Sequence, residues 1–592
     1  MKKFVLYISL LFSLVAFAQS EQLAENYFDK GEFEKALISY QELLKIQPNN
    51  WNYFQKSVAC YQQLQQLDLA EKALENRYEK YKQSTLLVDL GANYLLKKEA
   101  SKATKYFQQA LEKIKKTPTE VYGIAAAFER MALIDYALQA YEIALSMDKN
   151  ANYNFQMAPL YGQKGDLEKM ISLFLTESFI NPQNLVAIQN YLARFMAEDG
   201  GDTFKTALRK ALILETQKSQ AVFWNEFLSW FYIQQKEYGK AFIQQKALYK
   251  RNPELFLNIV NLAKLTIEEN DSAAAKDILT FIIENTQDSA ILIEAHSHLV
   301  SMKIKMATPT EYLQIENEIT VLLERFGSKQ TTISLQIILA HFETFYLKNS
   351  EKGKALLRAA LELPYNQYQQ AEIKMELADV LLYEEKYNQA LLYYSQIEEN
   401  LKNDVIGHQA SLKAARTSYF KTDFVWAQKQ FKELKSASSQ LIANDALEYF
   451  LLINDNTVAD STQTALKEFA KGDYWLYQNK NQEAIAQFQL ILKKFKGQEI
   501  ESITLLRLGK TYEKTGEYQL ALSQYQEIIE LHQDGIYVDE ALYFAAEIYS
   551  KISIDNEKAK AYYEKLVFHH EDSIYFVDAR RKYRELRGDK EL

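Results

Sequence analysis

Small residues return along this chain at a nearly fixed step, each framed by large residues at fixed offsets. Ala36, Ala70, Ala103, Ala137 and Met170 are separated by 34, 33, 34 and 33 residues. Four positions after each stands Tyr40, Leu74, Phe107, Tyr141 or Phe174, and nine before each stands Tyr27, Tyr61, Tyr94, Phe128 or Tyr161. Apolar residues three and four apart share one face of a helix, so the pattern predicts amphipathic helices. In the first unit, a helix through Leu23, Ala24 and Tyr27 meets a turn at Gly31. A second helix then carries Phe33, Ala36, Tyr40 and Leu43 and stops before Pro48. Small side chains at Ala24 and Ala36 let two antiparallel helices interlock, and a period held over five units marks a repeat array.

The period divides the chain. After a leader expected over residues 1–18, residues 19–183 hold the regular N-terminal array. The pattern decays over 184–364, where Leu228, Tyr232, Tyr238, Ala241 and Pro253 still make one unit. Helical hairpins of atypical length are expected there. From 365 to 592 the step lengthens: Ala390, Ala427, Ala484, Ala521 and Ala559 are spaced 37, 57, 37 and 38 apart, each with an aromatic residue four later. The long gap equals one unit plus 20 residues, which predicts an extra helix near 440–455 (Asn444 to Ile453) before a loop over Asn454–Ser461. The expected fold is all-α: a right-handed superhelical solenoid of antiparallel helix pairs, closed by a capping helix.

These offsets resemble the tetratricopeptide repeat family. Leu23, Ala24, Tyr27, Gly31, Phe33, Ala36, Tyr40 and Pro48 match its pattern of large-apolar, small, aromatic, Gly, aromatic, Ala, aromatic and Pro position by position. Leu90, Gly91, Tyr94, Ala103, Phe107 and Ala110 match again, as do Leu508, Gly509, Tyr512, Gly516, Tyr518, Ala521 and Tyr525. The longer C-terminal step and the ending Ala579-Arg580-Arg581-Lys582-Tyr583-Arg584 resemble periplasmic repeat proteins of envelope assembly, such as the lipoprotein of the outer-membrane β-barrel assembly machine and the Tol–Pal coordinator. With its leader and the segment from Asp460 to Ala470, the chain is similar to exported repeat proteins of the Bacteroidota. The resemblance implies binding of proteins or peptides by a curved surface.

Composition agrees with helices: 17 Gly and 7 Pro in 592 residues, with 40 Tyr and 32 Phe. A net charge of −9 argues against general nucleic-acid binding, which needs a basic face. Met1-Lys2-Lys3, an apolar run from Phe4 to Phe17 and Ala16-Phe17-Ala18 read as a signal peptide cleaved after Ala18. Retention of this segment as an N-terminal anchor is the alternative. The run is shorter than the roughly 20 residues a spanning helix needs, and no later stretch is long and apolar enough to span. Cys60 is the single cysteine, so no intrachain disulfide forms, and its place beside Tyr61 on a helix suggests a small buried side chain. The expected location is the periplasm, or the periphery of the outer membrane through partners.

Little points to chemistry. His296 and His298 are two apart and so lie on different helix faces, which does not suit a helical zinc pair. His569-His570-Glu571-Asp572 could bind a metal loosely, but reads better as a solvated loop. There is no phosphate-binding Gly-rich loop, dinucleotide turn or nucleophile elbow. No cofactor, metal or catalytic residue is expected.

In the resembled architecture the first helix of each pair lines the concave face, and residues there that packing does not need become the binding surface. By register this implies Gln55, Lys56, Tyr122, Glu129, Arg130, Phe155 and Gln156, with Tyr122 and Phe155 alternatively filling gaps between repeats. Aromatic side chains among amides and charges suit an extended peptide. Positions that hold Lys and Asn in the carboxylate-clamping subtype hold Glu21 and Glu25 here, which argues against that subtype. Arg507, Lys510 and Lys514 fall along one helix side and, with Arg580, Arg581, Lys582, Arg584 and Arg587, make a basic C-terminal end. It could dock an acidic partner or form a salt-bridged cap. The leading expectation is a non-enzymatic scaffold or adaptor for envelope proteins or peptides. Glycan or nutrient capture at the outer membrane is the alternative, and a lipidation Cys and large non-repeat loops, common in such proteins, are missing.

Overall fold

The computed structural model describes residues 20–197, 201–219, 221–437, 440–458, 462–533 and 535–588. The leader, its cleavage site, Asp199-Gly200 and Asp460 lie outside them. The chain forms two compact units, Met1–Trp224 and Asn225–Leu592. The described residues are helices joined by short turns, with no strand among them.

The first unit holds α1 (20–29) and then α2 (Phe33–Ile46), α3 (Trp51–Gln63), α4 (Leu67–Tyr81), α5 (Thr85–Leu96), α6 (Ala100–Lys116), α7 (Val121–Arg130), α8 (Ile134–Met147), α9 (Asn154–Gln163), α10 (Leu167–Ile180), α11 (Leu185–Ala197) and α12 (Gly201–Lys218). Helix α13 (Val222–Gln234) crosses the boundary between the units. The second unit continues with α14 (Tyr238–Arg251), α15 (Phe256–Glu268), α16 (Ser272–Asn285), α17 (Ser289–Met306), α18 (Tyr312–Phe326), α19 (Ile333–Phe345) and α20 (Ser350–Leu361). Next come α21 (Gln367–Tyr383), α22 (Tyr387–Asn400), α23 (Val405–Phe420), α24 (Phe424–Ala437) and α25 (Gln440–Val458). The unit closes with α26 (Thr464–Tyr477), α27 (Asn481–Lys494), α28 (Ile500–Lys514), α29 (Tyr518–Leu531), α30 (Val538–Lys551), α31 (Asn556–His569) and α32 (Phe576–Arg587).

The periodic columns form the seams of these pairs. Ala36, Ala70, Ala103, Ala137 and Met170 are fully buried, and so are Ala390, Ala427, Ala484, Ala521 and Ala559. Their large partners Tyr40, Leu74, Phe107, Tyr141 and Phe174 are buried beside them, as are Tyr394, Phe431, Phe488, Tyr525 and Tyr563. Each alanine on a second helix lets that helix approach its partner, and the large residue one turn later fills the gap, whereas Met170 is accommodated by Gly162 of α9, which faces its sulfur. Gly31 takes the left-handed conformation (φ 73°) between α1 and α2. Single 3₁₀ turns opened by Pro118, Pro182, Pro253 and Pro309 lead into α7, α11, α15 and α18. Proline suits that place because its missing N–H is not needed in a first turn.

The inserted helix is longer than the sequence predicts. Asn454 to Val458 continue α25 instead of forming a loop. Their polar side chains bond back onto the helix, with Asn456 Nδ2 donating to the Leu452 carbonyl (2.8 Å) and Thr457 Oγ1 to the Asn454 carbonyl (3.2 Å). These bonds satisfy the polar side chains on the helix itself, although such back-bonding does not by itself favour a helix. Beyond this insertion α26 reaches past α23 to α21. The Tyr474 hydroxyl donates to the Leu382 carbonyl (2.7 Å), the Tyr477 hydroxyl to the Asp379 carbonyl (2.8 Å), and Gln478 Nε2 to the Tyr383 carbonyl (2.8 Å). Phe345 of α19 meets the Tyr477 ring edge-on at 5.5 Å.

Candidate peptide groove

Four successive first helices of unit 1, namely α1, α3, α5 and α7, border one open cavity of about 280 Å³. Helix α3 supplies Asn52, Gln55, Lys56 and Ala59. These stand at i, i+3, i+4 and i+7, a single stripe on a helix. Tyr53 and Cys60, on other faces of α3, are buried in the seam. Phe28, Phe54, Val58, Leu74 and Met131 give the cavity apolar walls.

Its charges are arranged across helices. Asp89 is 4% exposed, and its carboxylate accepts a hydrogen bond from Arg130 Nη2 at 2.6 Å. Burial pushes the Asp89 carboxyl up, and the Arg130 guanidinium opposes that rise. The Lys56 ammonium sits over the Phe28 ring at 4.0 Å from its centroid, a favourable cation–π placement. Lys56 and Arg130 against Asp89 leave a surplus of one positive charge above the apolar walls.

The structure therefore brings Gln55, Lys56 and Arg130 together. Tyr122, Glu129, Phe155 and Gln156 lie outside the lining. Tyr122 is half-exposed and packs against the edges of Tyr141 and Tyr153 at 6.4 and 5.5 Å. Phe155 and Glu129 are exposed and Gln156 is half-buried. Register alone missed Phe28 and Asp89. A carboxylate inside the apolar run Thr85-Leu86-Leu87-Val88-Asp89-Leu90 was the available signal, because a buried carboxylate requires a partner.

Of the basic C-terminal residues, Arg507, Lys510, Lys514, Arg581 and Lys582 are engaged inside unit 2. Arg507 Nη2 pairs with Glu448 at 2.5 Å and Nε faces Asp473 at 3.3 Å. Lys510 pairs with Glu540 at 2.5 Å, and Lys514 donates to Asn479 (3.0 Å) and Asn481 (3.2 Å). Similar links join other neighbouring pairs: His341 with Glu376 at 2.9 Å, Lys413 with Asp379, and the Tyr543 hydroxyl with Asp578 at 2.7 Å. Lys582 pairs with Glu547 at 2.5 Å and with Asp578 at 2.6 Å, and Arg581 with Asp578 and Glu585 at 2.6 and 2.7 Å. The pairs of Arg507, Lys510 and Lys413, and that of Lys582 with Glu547, join one repeat to the next. Those with Asp578 from Arg581 and Lys582, and that of Arg581 with Glu585, lie within α32. Among the described residues no group of three or more His, Cys, Asp or Glu is placed to hold a metal, and no helix is long and apolar enough to cross a membrane.

No family model matches the chain. A stretch of 108 residues is 28% identical to the BBSome complex member BBS4 of Bos taurus, covering 17% of this chain and 21% of that protein. The chain thus matches about a fifth of that relative's length. Among solved structures, that of Naa15/Naa10 bound to HypK-THB aligns over 97% of this chain and 94% of its own, at 13% identity and a TM-score of 0.27. The APC/C heterotetramer Cut9–Hcn1 aligns over 96% of each chain at 13% identity and a TM-score of 0.23. The P58(IPK) TPR domain aligns over 62% of this chain and 99% of its own, at 15% identity and a TM-score of 0.19. Scores this low do not establish a shared arrangement.

Proposed function

We propose that the chain is a non-enzymatic scaffold or adaptor that holds an extended segment of a protein partner along the first helices of unit 1. One observation carries the reading: Gln55, Lys56 and Arg130 line a single cavity bordered by four successive first helices. A row of this kind offers polar anchors at repeat spacing above apolar walls, which suits a peptide in extended form. The leader pattern over residues 1–18 supports export, so the partners are proteins of the bacterial envelope, met in the periplasm or at the inner side of the outer membrane.

Crosslinking in envelopes, followed by capture, tests this with the intact chain beside a Gln55→Ala/Lys56→Ala variant, which leaves the Asp89–Arg130 pair in place. Protein partners recovered with the former and depleted with the latter are the expected result. Equal recovery with both would remove the groove from the reading, and capture of sugars without protein would end the adaptor idea. Export has its own readout: the cellular protein begins at Gln19, whereas an intact Met1 in the cytoplasmic fraction rejects it.

A further inference from the structure

Between α4 and α6, on the second helices of unit 1, lies another cavity of about 570 Å³. Its lining is Tyr78 from α4, Leu87 from α5, and Lys105, Gln108, Gln109, Glu112, Lys113 and Lys116 from α6. Among the described residues none of the three lysines has a carboxylate within ion-pair distance. Glu112, the one acid in the lining, is taken by Lys115 at 2.6 Å. In a chain of net charge −9, α6 carries five lysines and a single acidic residue. The negative end of a helix dipole explains cations in its last turn, where Lys113 and Lys116 stand. It does not explain Lys105, near the opposite end of the helix.

We propose that this cleft docks an acidic, extended segment of a protein. Lysines are point charges on flexible stems and adapt to carboxylates scattered along a chain, where arginine would favour flat bidentate groups. Gln108 and Gln109 add amides that can bond a peptide backbone. The cleft has the volume of a ligand site, which fits a strand of chain entering it better than the flat plane of a bilayer. The site is independent of the first-helix groove, so either can fail without the other.

An octaglutamate peptide carrying a fluorophore, titrated with the full chain and followed by anisotropy, tests the cleft. Binding should weaken as salt rises. It should fall by at least about tenfold in Lys105→Glu/Lys113→Glu/Lys116→Glu. The milder Lys105→Gln/Lys116→Gln, which spares the half-buried Lys113, should show a smaller loss in the same direction, with unchanged circular dichroism. Lys30→Glu/Lys149→Glu/Lys169→Glu, equal in charge and outside the cleft, should bind nearly as well as the parent. Equal loss in that control would overturn the proposal. So would peptide binding that ignores the cleft lysines, or cleft-dependent binding to phosphatidylserine vesicles without binding of the peptide.

Discussion

Gly509 of α28 faces the ring of Tyr525 of α29 so closely that a β-carbon would lie 2.5 Å from Cε1 and 2.9 Å from Cζ. Gly472 and Phe488 repeat the relationship on α26 and α27, with a β-carbon 2.5 Å from the ring. A missing side chain on the first helix thus receives the large residue that follows the buried alanine of the second. Gly509→Val should cost about 1–3 kcal/mol through overpacking. Thermal unfolding by circular dichroism should show the drop, and Tyr525→Leu in the same chain should recover part of it. A Gly509→Val protein as stable as its parent would mean that the seam relaxes freely.

The Asp89–Arg130 pair ties α5 to α7. With its folded-state pKa raised, Asp89 favours folding most at low pH, where it is neutral, and this advantage is lost as pH rises through that value. Arg130→Ala removes the charge that offsets the carboxylate. It should therefore destabilise at pH 7 by about 1–2 kcal/mol, a figure reduced from the buried-pair range because Arg130 is partly in solvent. The cost should shrink as Asp89 protonates. Urea unfolding at pH 7 and pH 4 checks this, and an equal cost at both would show that the pair does not matter.

Glu384 behaves in the opposite sense. Burial pushes its carboxyl up, but hydrogen bonds from Lys354, Lys386 and Ser350 outweigh this and hold it down at about 2. Lys354 is 3% exposed and lies 2.7 Å from Glu384. A depressed carboxylate contributes stability above its ordinary value of 4.5, and that stability is lost as pH falls toward about 2. Glu384→Gln should cost about 1–2 kcal/mol at neutral pH, because it leaves the buried Lys354 with the exposed Glu351 (2.8 Å) as its one remaining carboxylate. Acid titration of the variant's stability should be flatter than the parent's between those two values.

Cys60 is fully buried, and burial pushes its thiol up to about 11. At neutral pH it should resist maleimide in the native protein and react once denaturant opens the α2–α3 seam. Rapid labelling without denaturant would show that α3 opens locally.

How much of this was visible beforehand depended on which physical rule had spoken. The alanine and aromatic columns mark buried seams because close approach of helices dictates side-chain size, and size is written in the sequence. The end of α25 was not visible, since Asn454, Asn456 and Thr457 read as turn residues until their bonds to the preceding helical turn are seen. The groove was half legible. Register placed Gln55, Lys56 and Arg130 on first helices, but their meeting at one cavity depends on the rotation between pairs, which no periodicity states. Arg507, Lys510 and Lys514 look alike in sequence to free surface cations, and only the neighbouring repeats reveal their partners.

The bonds from Tyr474, Tyr477 and Gln478 back to the carbonyls of Leu382, Asp379 and Tyr383 change how this part of the protein can come apart. An array joined only to its neighbours opens like a zipper, one pair after another. Here α22, α23, α24 and α25 lie in the chain between two strapped helices, α21 and α26, so the segment cannot come apart fully until that strap lets go. The segment is a buckle in an otherwise linear belt: it fails late and as a whole, and amide protons on both sides of it should exchange together.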